Sequence, residues 1–253
     1  MQPTARFTDR VAHYVKARPG YPPELVSLLE RQCGLTRGST LVDVGCGTGL
    51  LAKLFCDFGC RVIGVEPNVA MREAGREYLA ACPNFTMAEG TAETLPLSGA
   101  SVDIITAGQA FHWFQRDEAR REFLRVLRPG GWAALVWNDR EFSGSQFAED
   151  YEALLVKFGT DYAEVHQRGT ATLAAFQEFF GNSSFARESF PHVQRLDHET
   201  FVARVLSASY MPVPGHENHP AMLEEVERIF RDDARDGIVT MRYQTTIYYG
   251  QMS

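Results

Sequence analysis

The stretch from Thr40 to Phe58 constrains this chain more than any other. An apolar run, Thr40 to Val44, carries one acid, Asp43, and breaks into glycines at 45, 47 and 49 before a helix-like run from Leu50 to Phe58. Strand, tight turn and helix follow from that order. Glycine has no Cβ, so it enters positive φ in the turn and lets a ligand lie on the backbone. The unpaired N–H groups and dipole at the start of the next helix favour an anionic group, a carboxylate or a phosphate. Three alternating glycines would weaken a turn that needed only one, which argues for a binding turn over a plain connection.

Asp43 separates the candidate ligands. Facing a pyrophosphate it would repel; a ligand that also carries positive charge suits it better. S-adenosylmethionine (SAM) offers an ammonium and a sulfonium beside a carboxylate. The run Asp43-Val44-Gly45-Cys46-Gly47-Thr48-Gly49 resembles motif I, (D/E)-x-G-x-G-x-G, of the class I SAM-dependent methyltransferases. That resemblance implies that Asp43, Gly45, Cys46, Gly47, Gly49 and Leu50 surround the cofactor. Gly47 to Ala52 also satisfies the looser G-x-G-x-x-(G/A) dinucleotide pattern, so an NAD(P)-dependent oxidoreductase stands as the alternative. A non-catalytic SAM-binding protein is a third reading.

With 253 residues the chain has room for one large domain, or one domain with an insertion. It carries 32 acidic and 25 basic residues, a formal charge of -7, so its field does not attract phosphate backbones and nucleic acid is not the expected partner. No apolar run approaches the roughly 20 residues of a membrane span, and Met1 to Arg10 has no apolar core of a signal peptide. A cytoplasmic protein without membrane association is expected. Five cysteines, at 33, 46, 56, 60 and 82, fit neither a disulfide framework nor paired zinc spacing, and no metal is expected. Whether the chain is a monomer or a dimer stays open.

Along the chain, residues 1–24 suggest a lid: a short helix over about 8–16, stopped by prolines at 19, 22 and 23. The segment is similar to the entry of the yeast-type trans-aconitate methyltransferases, in which Tyr and Arg ahead of a Tyr-Pro step close over the methionine end of SAM. That similarity implies Tyr14 and Arg18 for the cofactor; Tyr21 is assigned to the substrate. After a helix over 23–33, a second strand (61–65) ends in Glu66, 21 residues past Gly45 and near the position where an acid meets ribose hydroxyls in such folds. Pro67 and Met71 match the family motif that walls the adenine. A third strand (84–88) leads into Glu89 to Pro96, which resembles the family's G-(D)-A-E-x-L-P segment at the adenine amino edge. Thr91 replaces the usual acid, which implies a weaker side-chain contact, and Ala92 and Glu93 follow it.

A fourth strand (101–106) delivers Ala107, Gln109 and then Phe111-His112-Trp113 from its carboxyl end, where ligands sit in open α/β sheets. Similar methyltransferases carry an alanine-led His-Trp step here, matched by Ala107, Ala110, His112 and Trp113. A helix over 116–127 runs into Leu127-Arg-Pro-Gly-Gly131, a marker of the class I core that moves the dinucleotide reading to second place. The fifth strand spans 132–137. Helices follow at 146–158 and 170–180, a strand at 187–196, helices at 200–209 and 220–233, and a closing strand at 239–249 with period-two alternation. The resemblance implies an α/β, Rossmann-like seven-stranded sheet of order 3-2-1-4-5-7-6, strand seven antiparallel and helices on both faces. Within this single domain, residues 140–183 and 197–235 are read as helical cap insertions over the site.

Methyl transfer from SAM to a small-molecule acceptor, leaving S-adenosyl-L-homocysteine (SAH), is an in-line displacement. The protein supplies alignment and water exclusion, together about 7–11 kcal/mol of barrier. A carboxylate acceptor needs no base, whereas a hydroxyl or amine must lose a proton. His112 is the candidate base, or else it shapes an aromatic wall with Trp113. Arg18, Arg140 and Arg168 are candidates to orient a carboxylate through bidentate pairs.

Overall fold

The computed structural model describes residues 10–162, 173–181 and 184–252, with Ala12 described by its backbone alone. Its strands are β1 (Thr40–Val44), β2 (Arg61–Val65), β3 (Phe85–Ala88), β4 (Val102–Gly108), β5 (Leu127–Arg140), β6 (Phe185–Leu196) and β7 (Val239–Gln251). They form one seven-stranded sheet in the order β3-β2-β1-β4-β5-β7-β6. The first five pair in parallel, and β7 runs antiparallel to both β5 and β6. This is the order and the reversed strand that the sequence leads one to expect.

Both faces of the central strands are apolar, as in a sheet covered by helices on either side. Val42, Val44, Ile105, Ala107, Ala133 and Leu135 point to one face, and Leu41, Ile104, Ala134 and Val136 to the other. The second face is covered by α2 (Glu24–Cys33) and α3 (Leu50–Phe58). The first is covered by α5 (Arg116–Val126) and α7 (Leu173–Phe180). Helix α4 (Val69–Tyr78) lies beside β3. Its Gly75 permits close approach to the glycine turn: a Cβ there would sit 2.4 Å from the Met87 methyl and 3.3 Å from the Gly47 carbonyl oxygen.

Helix α7 departs from the expectation that the later helices all cap the site. Phe176, Phe179 and Phe180 recur on one face, with Gln177 and Glu178 on the exposed side, and bury in one cluster with Phe111 and Phe123, so this helix belongs to the sheet core. The other late helices do form a separate layer. Helices α6 (Gln146–Phe158), α8 (His198–Leu206) and α9 (His219–Asp233) share an apolar core with Leu196, Val239, Met241 and Tyr243. Those four residues lie where β6 and β7 extend past the parallel strands.

Strand β5 runs three residues beyond its expected end. Asn138-Asp139-Arg140 has no strand pattern of its own, but its backbone pairs with Gln244, Thr245 and Tyr243 of β7. The N-terminal segment docks on this overhang. Helix α1 (Val11–Ala17) is preceded by Arg10, whose guanidinium donates to the carbonyls of Leu206 (3.0 Å), at the end of α8, and of Ala208 and Met211 (2.6 Å) beyond it. The Gln194 amide donates to the Ala17 carbonyl at 2.9 Å, and the Asn138 amide to the Gly20 carbonyl at 2.9 Å. Among the described residues no helix is long and apolar enough to cross a membrane.

Candidate active site

The glycine turn is tied to the end of β2, where the Gly45 and Cys46 amides both donate to the Val65 carbonyl, at 2.8 and 3.2 Å. Gly45, Gly47 and Gly49 all take positive φ, at 65°, 55° and 83°. Their surroundings differ. A Cβ at Gly45 would lie 2.7 Å from that of Ala110, and one at Gly49 would lie 2.5 Å from a Leu79 methyl, whereas one at Gly47 would meet nothing within 4 Å. Gly45 and Gly49 are small because the chain packs against them. Gly47 is bare toward open space.

That space is a cavity of about 750 Å³, within the roughly 300–1,000 Å³ of small-molecule sites, at the carboxyl ends of the parallel strands. From the N-terminal segment Tyr14, Arg18 and Tyr21 line it, and from the turn Gly45, Gly47 and Leu50. Glu66, Pro67 and Met71 contribute after β2, and Thr91, Ala92 and Glu93 from the loop after β3. Gln109, His112 and Trp113 enter after β4, and Arg140 from the end of β5.

Glu66 is 8% exposed. One carboxylate oxygen accepts from the Gly47 amide and the other from the Asn68 amide, both at 2.9 Å. Burial raises its pKa while these bonds oppose the rise. An ionised carboxylate has about four lone-pair sites, so two remain for hydroxyl groups. Beneath it Arg72 donates to the Glu66 and Pro67 carbonyls, at 2.9 and 2.7 Å, and fixes the turn into α4. Glu93 accepts from the Gln115 amide at 2.9 Å, which pins the 91–93 loop to the start of α5.

Four residues read from the sequence as surrounding the cofactor do not line the cavity. Asp43 is 1% exposed behind the turn, because strand alternation sends its side chain toward α3. One of its oxygens accepts from the Thr106 hydroxyl at 2.9 Å; the other has no hydrogen-bond partner among the described residues. Burial pushes its carboxyl up to about 7. Cys46 turns its thiol toward the Met87 sulfur, 3.6 Å away, Gly49 packs under Leu79, and Ala107 is wholly buried in the sheet core.

At the far end, a 3-10 turn (Phe111–Trp113) is held by Phe111, whose ring contacts Phe176 and Phe179 of α7 at centroid distances of 5.6 and 4.9 Å. His112 follows, with its ring 4.7 Å from that of Trp113 and its Nδ1 without a hydrogen-bond partner among the described residues. Burial lowers its pKa to about 4. Arg140 is already engaged: it pairs with Glu152, which also accepts from the Tyr162 hydroxyl at 2.8 Å, and it lies over the Phe142 and Tyr151 rings. Arg18 lies over the Tyr14 ring at 4.9 Å and donates to the Ser207 carbonyl at 3.1 Å. Burial, with the nearby Arg204 charge, lowers its pKa. Arg168 lies outside the described residues.

Arg204, Tyr210 and Tyr243 line this end as well, and sequence reasoning missed all three. Arg204 is 6% exposed; its Nε donates to the Tyr243 hydroxyl at 3.4 Å, which donates to the Gln194 side-chain oxygen at 3.0 Å. One signal was present: Arg204 is the lone cation in the apolar run Phe201-Val202-Ala203-Arg204-Val205-Leu206.

Residues 42–135, from the middle of β1 into β5, match the model of a methyltransferase domain family. Over this segment the chain is similar to methyltransferases. An uncharacterized methyltransferase of Schizosaccharomyces pombe is 36% identical over 138 residues, 54% of each chain. Another, of Mycobacterium bovis, is 38% identical over 135 residues, 53% of each. The chain thus spans about half the length of the curated relatives it matches. A proposed type II methyltransferase from Anaeromyxobacter dehalogenans shares the fold, with a TM-score of 0.68 at 23% identity over 92% of this chain and 97% of that one. The family match ends at Leu135, so the methyltransferase core is shared while Arg140, Arg204 and the layer of α6, α8 and α9 lie beyond it.

Proposed function

We propose that this protein binds SAM in the glycine-turn half of the cavity and transfers its methyl group to a small molecule held at the end bounded by α8 and the β5–β7 overhang. The observation that carries the reading is the continuity of the cavity, which joins Gly47 and Glu66 at one end to a cationic, tyrosine-rich wall at the other. The turn half suits the cofactor. Gly47 leaves the backbone bare, and Glu66 keeps two acceptor sites for the ribose hydroxyls. Pro67, Met71 and Ala92 are assigned to the adenine, with Thr91 beside it, and Tyr14 and Arg18 to the methionine end.

When bound, SAM supplies a methyl group on a positively charged sulfur, so the protein's part is to orient and to exclude water. Residues 10–24 serve as the lid, fastened through Arg10, Ala17 and Gly20 to the overhang that bears the acceptor end. His112 is assigned to the wall. A group with a pKa near 4 is a weak base at neutral pH, far from the matched value at which general bases work best.

The test is SAH formation by the purified chain with SAM and panels of carboxylic acids, phenols and amines. Turnover with at least one acceptor class is expected, and His112→Ala should keep activity within about ten-fold. A loss of about 10²- to 10⁴-fold would make His112 the base. SAM binding without SAH formation across all panels would favour the non-catalytic reading.

A further inference from the structure

We infer that Arg204 is the anion-binding residue of the acceptor site and that the acceptor is a small amphipathic molecule with a single carboxylate. This rests on the methyltransferase reading and names its substrate class.

Arg204 projects from α8 into the cavity wall, 6% exposed. Its Nη1 has no hydrogen-bond partner, and it makes no ion pair among the described residues. Its hydrogen bond is to an uncharged hydroxyl, that of Tyr243. A buried cation left in this state is costly, by several kcal/mol in general, and that cost is relieved when an anion completes its shell. The described surroundings do not provide the anion. Glu152 is taken by Arg140 and Tyr162, and Asp139, which lines the same cavity, makes no ion pair with Arg204. Arg18 adds a second positive charge close to the first, with its Nε also unpartnered.

A guanidinium matches a carboxylate in shape through its fork of N–H donors. One guanidinium with an unpartnered Nη1 suits one negative charge; the Arg18 Nη2 is already spent on the Ser207 carbonyl. Much of the remaining wall is aromatic. Phe114, Trp137, Trp113 and Phe142 line it, the last two 36% and 43% exposed at the same cavity. A charged head at Arg204 with an apolar body along these rings is the ligand the wall describes.

The test uses the full chain saturated with SAH and, by calorimetry, three matched pairs: trans-cinnamate with cinnamamide, phenylacetate with phenylacetamide, and octanoate with octanamide. At least one carboxylate should bind about 30-fold tighter than its amide, as a hydrogen bond to a charged group allows. In Arg204→Met that preference should fall to within about three-fold, and in Arg204→Lys part of it should return. SAH affinity should change by less than about three-fold in both. The ligand-free Arg204→Met protein should melt no lower than the wild type, since the change removes an unpaired buried cation. The inference is overturned if no carboxylate outbinds its amide, if Arg204→Met keeps the preference, or if it weakens SAH as much as the carboxylate, which would give Arg204 to the cofactor. Failure of the wild type to bind SAH or SAM at all would instead sink the methyltransferase reading.

Discussion

Asp43 and Glu66 are both buried acids beside one turn, yet they do different things. Glu66 has two backbone amides and an open side toward the cavity; Asp43 has one hydroxyl partner and one oxygen with none. Because the Asp43 pKa, about 7, lies above the ordinary 3.8, the folded protein keeps a proton that the unfolded chain has released between those values. The stability this gives is full below pH 4 and is lost as pH rises through 7. Relative to Asp43→Asn, the wild type should therefore lose roughly 3 kcal/mol of unfolding free energy between pH 4.5 and 7.5 in urea titrations. His112 has the opposite sign, with its depressed pKa favouring the folded state as pH rises from about 4 to 6.5, but it is common to both proteins and cancels. A constant difference across that range would show that Asp43 is ionised throughout. At this scale the sequence revealed which residues form the turn but not which way Asp43, Cys46 and Ala107 face. Direction depends on strand alternation, and a ligand motif does not record it.

At the scale of the element, the glycine turn and the N-terminal helix make separable predictions. Gly47→Ala puts a methyl into open cavity at a φ of 55°, so it should cost only about 1–2 kcal/mol of stability while weakening SAM at least ten-fold. Gly49→Ala meets Leu79 at 2.5 Å and should destabilise more, by about 2–4 kcal/mol. Equal losses of both kinds in the two variants would remove the distinction drawn between them. For the proposed lid, Arg10→Met frees three carbonyls at and beyond the end of α8 and should raise the SAM dissociation constant by about ten-fold and speed tryptic cleavage after Lys16. Unchanged cleavage and affinity would mean that α1 does not close the site. The bounds of α3 and β2 were legible to the residue, because an amphipathic run between glycines and a short apolar run before an acid each admit one reading. The placement of α7 was not. A helix with an apolar face looks the same in sequence whether it covers a sheet or caps a cavity.

For the whole molecule, two bodies of packing meet at one cavity. The sheet and its helices build the turn half from residues within the family match, and their order was readable from motifs spaced along the first half of the chain. The other half, the proposed acceptor end, is built by the β5–β7 overhang, by Arg204 of α8 and by Ser209 and Tyr210 after it, against the second core. Arg204, Tyr210 and Tyr243 come together there only because β7 returns between β5 and β6. Nothing local in the sequence announces such a meeting. Calorimetric titration of the purified chain with SAM and with NADH, beside Glu66→Ala, tests the central claim most directly. The account predicts saturable 1:1 SAM binding, no NADH binding, and SAM affinity at least about ten-fold weaker in a Glu66→Ala protein of unchanged circular dichroism. Saturable NADH binding with SAM silent, or wild-type SAM affinity in Glu66→Ala, would contradict it.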